Sequence, residues 1–198
     1  MSQAIKQIGL RRQLTTCALL SGVAALIIFC FHQPPYLASL LAGLPLHFQV
    51  AAGLGIGCAY WVSTQIGYRF AANSKTTKST VESYSRMDLS GRNPIWISLA
   101  AGFGEELLFR GSLQPLTGVW LASAIFVIAH TRAYRFNGLN KRVLIQACAI
   151  FVGSMGFGLI AMYVGLVAAM ITHAAVDIVG LYVIKGEIRK LQPQSCQR

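Results

Sequence analysis

Acidic residues are scarce in this chain. Six Asp and Glu stand against 17 Lys and Arg, and charged residues of both signs fill only 12% of 198 positions. An average soluble domain carries about twice that charge density. With 55% hydrophobic side chains and a mean hydropathy of +0.55, the composition excludes an ordinary soluble protein and reads as a membrane protein. The five cysteines, at positions 17, 30, 58, 148 and 196, lack metal-type spacing. Four of them lie in apolar runs, where a thiol behaves as a small hydrophobe, so neither disulfides nor a zinc–thiolate site is expected. The sequence also lacks an internal repeat, a phosphate loop and a low-complexity tract. Its longest polar stretch, 73–93, is too short for a second domain, and a short surface helix is expected there around Val81 to Leu89. The chain is expected to form one membrane domain over 1–198.

Long apolar runs are present instead, at about 14–32, 46–68, 94–112, 118–131, 143–162 and 165–184. Most approach the ~20 residues a helix needs to cross hydrocarbon. The expected fold is therefore all-α and polytopic, with about six transmembrane helices. The first run follows Lys6, Arg11 and Arg12 as in a signal sequence, but no small-residue cleavage site follows it, so it reads as a retained anchor. Basic residues fall in alternate connections: Lys6, Arg11 and Arg12; Arg69, Lys75, Lys78, Arg86 and Arg92; Arg132, Arg135, Lys141 and Arg142; Lys185, Arg189, Lys190 and Arg198. This positive-inside pattern places both termini in the cytoplasm. It also accounts for the net charge of +11 without nucleic acid and points to anionic lipid headgroups as the partners of these loops. The small size and the loop charges fit a bacterial plasma membrane.

Four ionisable residues break the pattern by lying inside apolar runs: Glu105, Glu106, Arg110 and Asp177. Each costs at least a few kcal/mol to insert, so such groups normally face a protein interior or a water cavity and serve a function. Glu106 and Arg110 stand four residues apart with the acid N-terminal, a spacing that pairs them across one helical turn. Glu105 points about 100° away from Glu106 and remains free to act. His130 ends the fourth run, and His173 lies inside the sixth with Asp177 one turn later on the same face. Counted from the inner ends of the spans, His130 would sit only a few ångströms deep if its helix stops at Thr131, far shallower than Glu105. Either that helix continues towards Phe136 or it is displaced.

These residues resemble the motifs of the CAAX-protease and bacteriocin-processing (CPBP, or Abi) intramembrane proteases. Glu105, Glu106 and Arg110 match the Glu-Glu-x-x-x-Arg element within GEELLFRG. Phe126 and His130 match Phe-x-x-x-His, and His173 and Asp177 match His-x-x-x-Asn/Asp. The resemblance covers 94–184 and implies a catalytic core there. It implies peptide hydrolysis by a water that Glu105 and His130 hold and deprotonate, with His173 and Asp177 receiving the oxyanion charge. Glu106, Arg110 and Phe126 would be structural support.

Two roles stay open for Asp177. It either acts as a neutral hydrogen-bond donor or orients His173, the second being preferred. No cofactor is required in this reading. The alternative is zinc held by Glu105, His130 and His173, although the sequence has no H-E-x-x-H helix and no visible outer partners for such ligands. The expected substrate is a membrane-associated protein or peptide. A non-catalytic immunity or scaffold protein and a small proton-coupled transporter are the alternative functions, the latter weakened by the missing repeat.

Overall fold

A computed structural model describes residues 9–71, 87–131, 136, 138 and 140–191. Among the described residues seven α-helices follow in order: α1 (Leu10–Phe31), α2 (Tyr36–Leu40), α3 (Leu46–Ala71), α4 (Asn93–Glu106), α5 (Gln114–His130), α6 (Lys141–Tyr163) and α7 (Leu166–Leu191). A π-helical segment, Leu107–Leu113, joins α4 to α5. Among the described residues there is no strand, only an isolated bridge between Gly43 and Gly165. The fold is all-helical, and the chain is a multi-pass membrane protein. The surface helix expected around Val81 to Leu89 falls mostly outside the described residues.

Every apolar run of the sequence lies on a helix, and among the described residues four helical stretches are long and apolar enough to cross a membrane: Leu10–Phe31, Asn93–His130, Val143–Tyr163 and Leu166–Lys190. The third and fourth expected spans have merged into one 38-residue stretch. A straight helix of that length would measure about 57 Å, nearly twice the hydrocarbon thickness. It folds back at Gly118, whose φ of 77° and ψ of 165° lie in a region open essentially to glycine alone. The fold-back is demanded by contact as well. Glu105 and His130 would stand about 37 Å apart along a straight helix, yet their side chains meet at 3.4 Å.

Local sequence sets the helix ends. At the start of α4, Pro94 occupies the first turn, where a missing N–H costs nothing. Just before it, the Asp88 carboxylate accepts from the Ser90 N–H (3.0 Å) and the Asn93 amide (2.9 Å). The Asn140 side chain caps α6 by accepting from Val143 N–H at 3.0 Å. The start of α7 is served from another helix: fully buried Gln49 of α3 accepts from Val167 N–H (3.2 Å) and donates to the Leu44 carbonyl (2.8 Å).

Helix α7 is the axis of the bundle, with α3, α4 and α6 packed around it and α1 against α4 and the π segment. Small residues permit the approach. A Cβ on Gly57 would lie 2.5 Å from that of Ala175, and one on Gly102 would lie 2.8 Å from the Met170 carbonyl. Gly53 and Gly57 of α3 both pack on α7. Gly158 closes on Gln114 and Val119, while Gly153 and Gly156 have open space beside them.

Candidate active site

The site lies where four helical elements meet at mid-depth. Counting about 1.5 Å per residue from the basic ends, Glu105 is about 18 Å along α4, Ser154 about 20 Å along α6 and Asp177 about 21 Å from the end of α7. His130 reaches the same level from the opposite direction. Helix α5 starts its return at Gly118 and stops after about 18 Å, so its terminal histidine is held in the middle of the bundle. The expected alternative, a helix continued through Ala133 to Phe136, lies on residues 132–135, outside the described ones.

A buried ion network forms the inner layer. Arg110 Nη1 lies 3.2 Å from Glu106 Oε1, the expected pair across one turn, and both side chains are almost completely buried. Arg110 Nη2 donates to the carbonyl and the hydroxyl of Ser154, each at 2.9 Å. The guanidinium also stands over the Phe126 ring (4.8 Å) and near those of Phe109 and Phe157, each 5.8 Å away. Ring faces and fixed acceptors around the cation replace the water it has lost.

His173 is tied into this layer. Its Nδ1 lies 2.7 Å from Glu106 Oε1, and because Glu106 is paired with Arg110 the carboxylate accepts and Nδ1 carries the proton. Phe157 stacks on the imidazole at 4.7 Å between centroids and 7° between planes. Glu106 reaches Nδ1 of His173 from a neighbouring helix, while Asp177, one turn along α7 as expected, places Oδ2 3.6 Å from the other nitrogen, Nε2.

His130 is fixed in a parallel manner. Its Nδ1 is 2.8 Å from the Phe126 carbonyl, which can only accept, and its ring stacks on Phe126 at 4.1 Å. Both imidazoles therefore commit Nδ1 to a fixed acceptor and turn Nε2 to the same carboxylate. Glu105 Oε2 is 3.4 Å from Nε2 of His130 and 4.0 Å from Nε2 of His173. The outer layer is the accessible one: side-chain exposure is 19% for Glu105, 18% for His130 and 37% for Asp177, against 0% for Glu106.

All seven residues singled out in the sequence are thus brought together. Ser154 and Phe157 were missed; in SMGFG they look like any small and aromatic pair of an apolar helix, and no spacing marks them. The committed Nδ1 atoms supply the outer partners that a two-histidine, one-glutamate metal site needs. Even so, among the described residues no group of three His, Cys, Asp or Glu is placed to hold a metal ion.

Residues 93–179 match the family described as type II CAAX prenyl endopeptidase Rce1-like, over nearly the segment that carries the motifs. An uncharacterized protein of Bacillus subtilis (strain 168), YpbD, is 38% identical over 88 residues, which are 43% of this chain and 42% of that relative. No solved structure matches.

Proposed function

We propose that this chain, whose residues 93–179 form an Rce1-like segment of the CAAX-protease type, is an intramembrane endopeptidase that cleaves a membrane-anchored protein or peptide. One observation carries the reading. Two histidines have their Nδ1 atoms fixed and present Nε2 to one accessible carboxylate, Glu105. That is a constellation for holding and deprotonating water, with each imidazole's rotation already fixed.

In the proposed reaction, water enters from the exposed side of Glu105. Nε2 of His130 accepts a hydrogen bond from it and Glu105 takes its proton as the oxygen attacks the peptide carbonyl. His173, doubly protonated, gives one N–H to Glu106 and the other to the developing oxyanion. Glu105 then returns its proton to the departing amine, so protons balance over the cycle. Asp177, beside Nε2 of His173, stands at the mouth of the site. The reaction needs no cofactor. The basic helix ends face the cytoplasm of a bacterial plasma membrane, the chain crosses six times, and α5 is a short return segment.

The test is to compare protein N- and C-termini in membranes from cells carrying wild-type and Glu105→Gln protein. A precursor accumulating in the variant, at equal protein level, identifies the substrate class. Unchanged termini with the enzyme present at normal level would defeat the proposal.

A further inference from the structure

A second cavity, of about 710 Å³, lies at the other end of the bundle, where the helices carry no Lys or Arg at their ends. Its walls come from α1 and α2 on one side (Ile28, Phe31, Leu40) and from the ends of α6 and α7 on the other (Met162, Leu166). None of the proposed catalytic groups lines it. Arg110 is the shared element, and its guanidinium is turned back to Glu106 and Ser154.

The floor has an unusual chemistry that follows from the π segment and a proline. In an α-helix the Arg110 carbonyl would accept from the Gln114 N–H, but that N–H goes to the Phe109 carbonyl instead. The Gly111 carbonyl would accept from residue 115, which is Pro115 and has no N–H. Two successive carbonyls thus lose their ordinary helical donors, and both residues line the cavity. Gly111 has no side chain, so what it presents there is main chain. Buried carbonyls need donors from somewhere. The neighbouring polar groups are His32, Gln33, Tyr36, Ser39 and Gln114, and no acid lines the cavity. The surface around the mouth is apolar, with Phe31, Leu37, Leu116, Met162 and Tyr163 all exposed.

We propose that this cavity is a binding site for a membrane lipid whose headgroup donates hydrogen bonds, an ammonium or a hydroxyl. The headgroup satisfies the carbonyls of Arg110 and Gly111, and an acyl chain lies along Ile28, Phe31, Leu40, Met162 and Leu166. The volume falls in the range of small-molecule sites. A lipid is favoured over a peptide because the rim is continuous with the face that meets hydrocarbon. The inference is independent of the proposed protease activity.

The test uses the full chain in nanodiscs of phosphatidylcholine containing a minor fraction of phosphatidylethanolamine or phosphatidylglycerol, followed by native mass spectrometry. A lipid with an N–H or O–H headgroup should be retained, and phosphatidylcholine, which has neither, should be lost. The two minor lipids tell an ammonium from a hydroxyl. Ala161→Trp, which fills the cavity, should reduce retention about tenfold or more. Ser39→Trp does the same from the opposite wall if the first variant does not fold. Pro115→Ala, which returns an N–H to the helix, should weaken retention with the cavity open. Leu144→Trp, on the exposed face of α6, should leave it unchanged. Equal retention of phosphatidylcholine, indifference to both tryptophans, or no retained lipid would overturn the assignment. So would displacement of the lipid by a substrate peptide.

Discussion

Glu106 carries two partners on one oxygen, the Arg110 guanidinium and the Nδ1–H of His173, and this decides what its loss should do. Glu106→Gln keeps the size but removes the charge that fixes the imidazole. Cleavage should fall on the order of 10²–10⁴-fold, as when an orienting carboxylate is lost from a catalytic histidine. Asp177→Asn, by contrast, leaves that orientation intact and should retain activity within about tenfold. Measured turnover in the two variants checks the order; a greater loss for Asp177→Asn would return the orienting role to Asp177. Arg110→Ala strands a fully buried carboxylate and should lower stability by about 3–5 kcal/mol, visible as a drop in detergent melting temperature. Glu105→Gln, at a partly exposed position, should melt close to wild type while losing cleavage.

At the scale of elements, the hairpin of α4 and α5 turns on Gly118, whose backbone other residues adopt only under strain. Gly118→Ala should cost roughly 1–3 kcal/mol. Because His130 stands at the far end of the return helix, activity should fall further than stability does, and comparing the two losses checks the hairpin's part in positioning the site. Gln49 holds α3 to the start of α7, the helix carrying His173 and Asp177. Gln49→Leu leaves a carbonyl and an N–H without partners, at about 1–3 kcal/mol each, and thermal unfolding should report the loss. At the entry to α4, hydrogen bonds from Ser90 and then Asn93 hold the Asp88 carboxyl below its ordinary range. A depressed folded-state value means stabilisation that is present above the unfolded value of about 3.9 and lost as pH falls through the folded one. Amide exchange in the first turn of α4 should therefore accelerate in that acid window, and Asp88→Asn should abolish the pH dependence.

For the whole molecule, the alternation of basic ends makes a topological prediction. Reporters fused after Arg12, Lys78, Arg135 and Lys190 should be cytoplasmic, and those near Tyr36 and Thr117 external. A cytoplasmic signal at Thr117 would contradict the hairpin's direction, since Gly118 is its tip. Dialysis against a strong chelator should leave cleavage unchanged; loss of activity restored by zinc would replace the glutamate-activated water with a metal-bound one.

Periodicity and composition were enough to locate the long helices, though not the five-residue α2, because insertion energy is summed over some twenty residues and survives local exceptions. The costly ions were equally legible: a Glu, an Arg or an Asp inside such a run stands out against its neighbours whatever the fold. Spacing gave the Glu106–Arg110 pair, since residues four apart lie about one turn from each other, and the π segment that holds Arg110 keeps them within reach. What crosses between helices was not encoded in spacing. That Glu106 reaches Nδ1 of His173 depends on how α4 lies on α7, which tight approaches such as Gly102 on Met170 decide. The depth of His130 depends on a reversal at one glycine in an otherwise uninterrupted helical run, and hydropathy does not register a dihedral angle. Ser154 and Phe157 became part of the site only by where α6 docks, because a serine hydroxyl or a phenyl ring acquires its role from the charge placed against it.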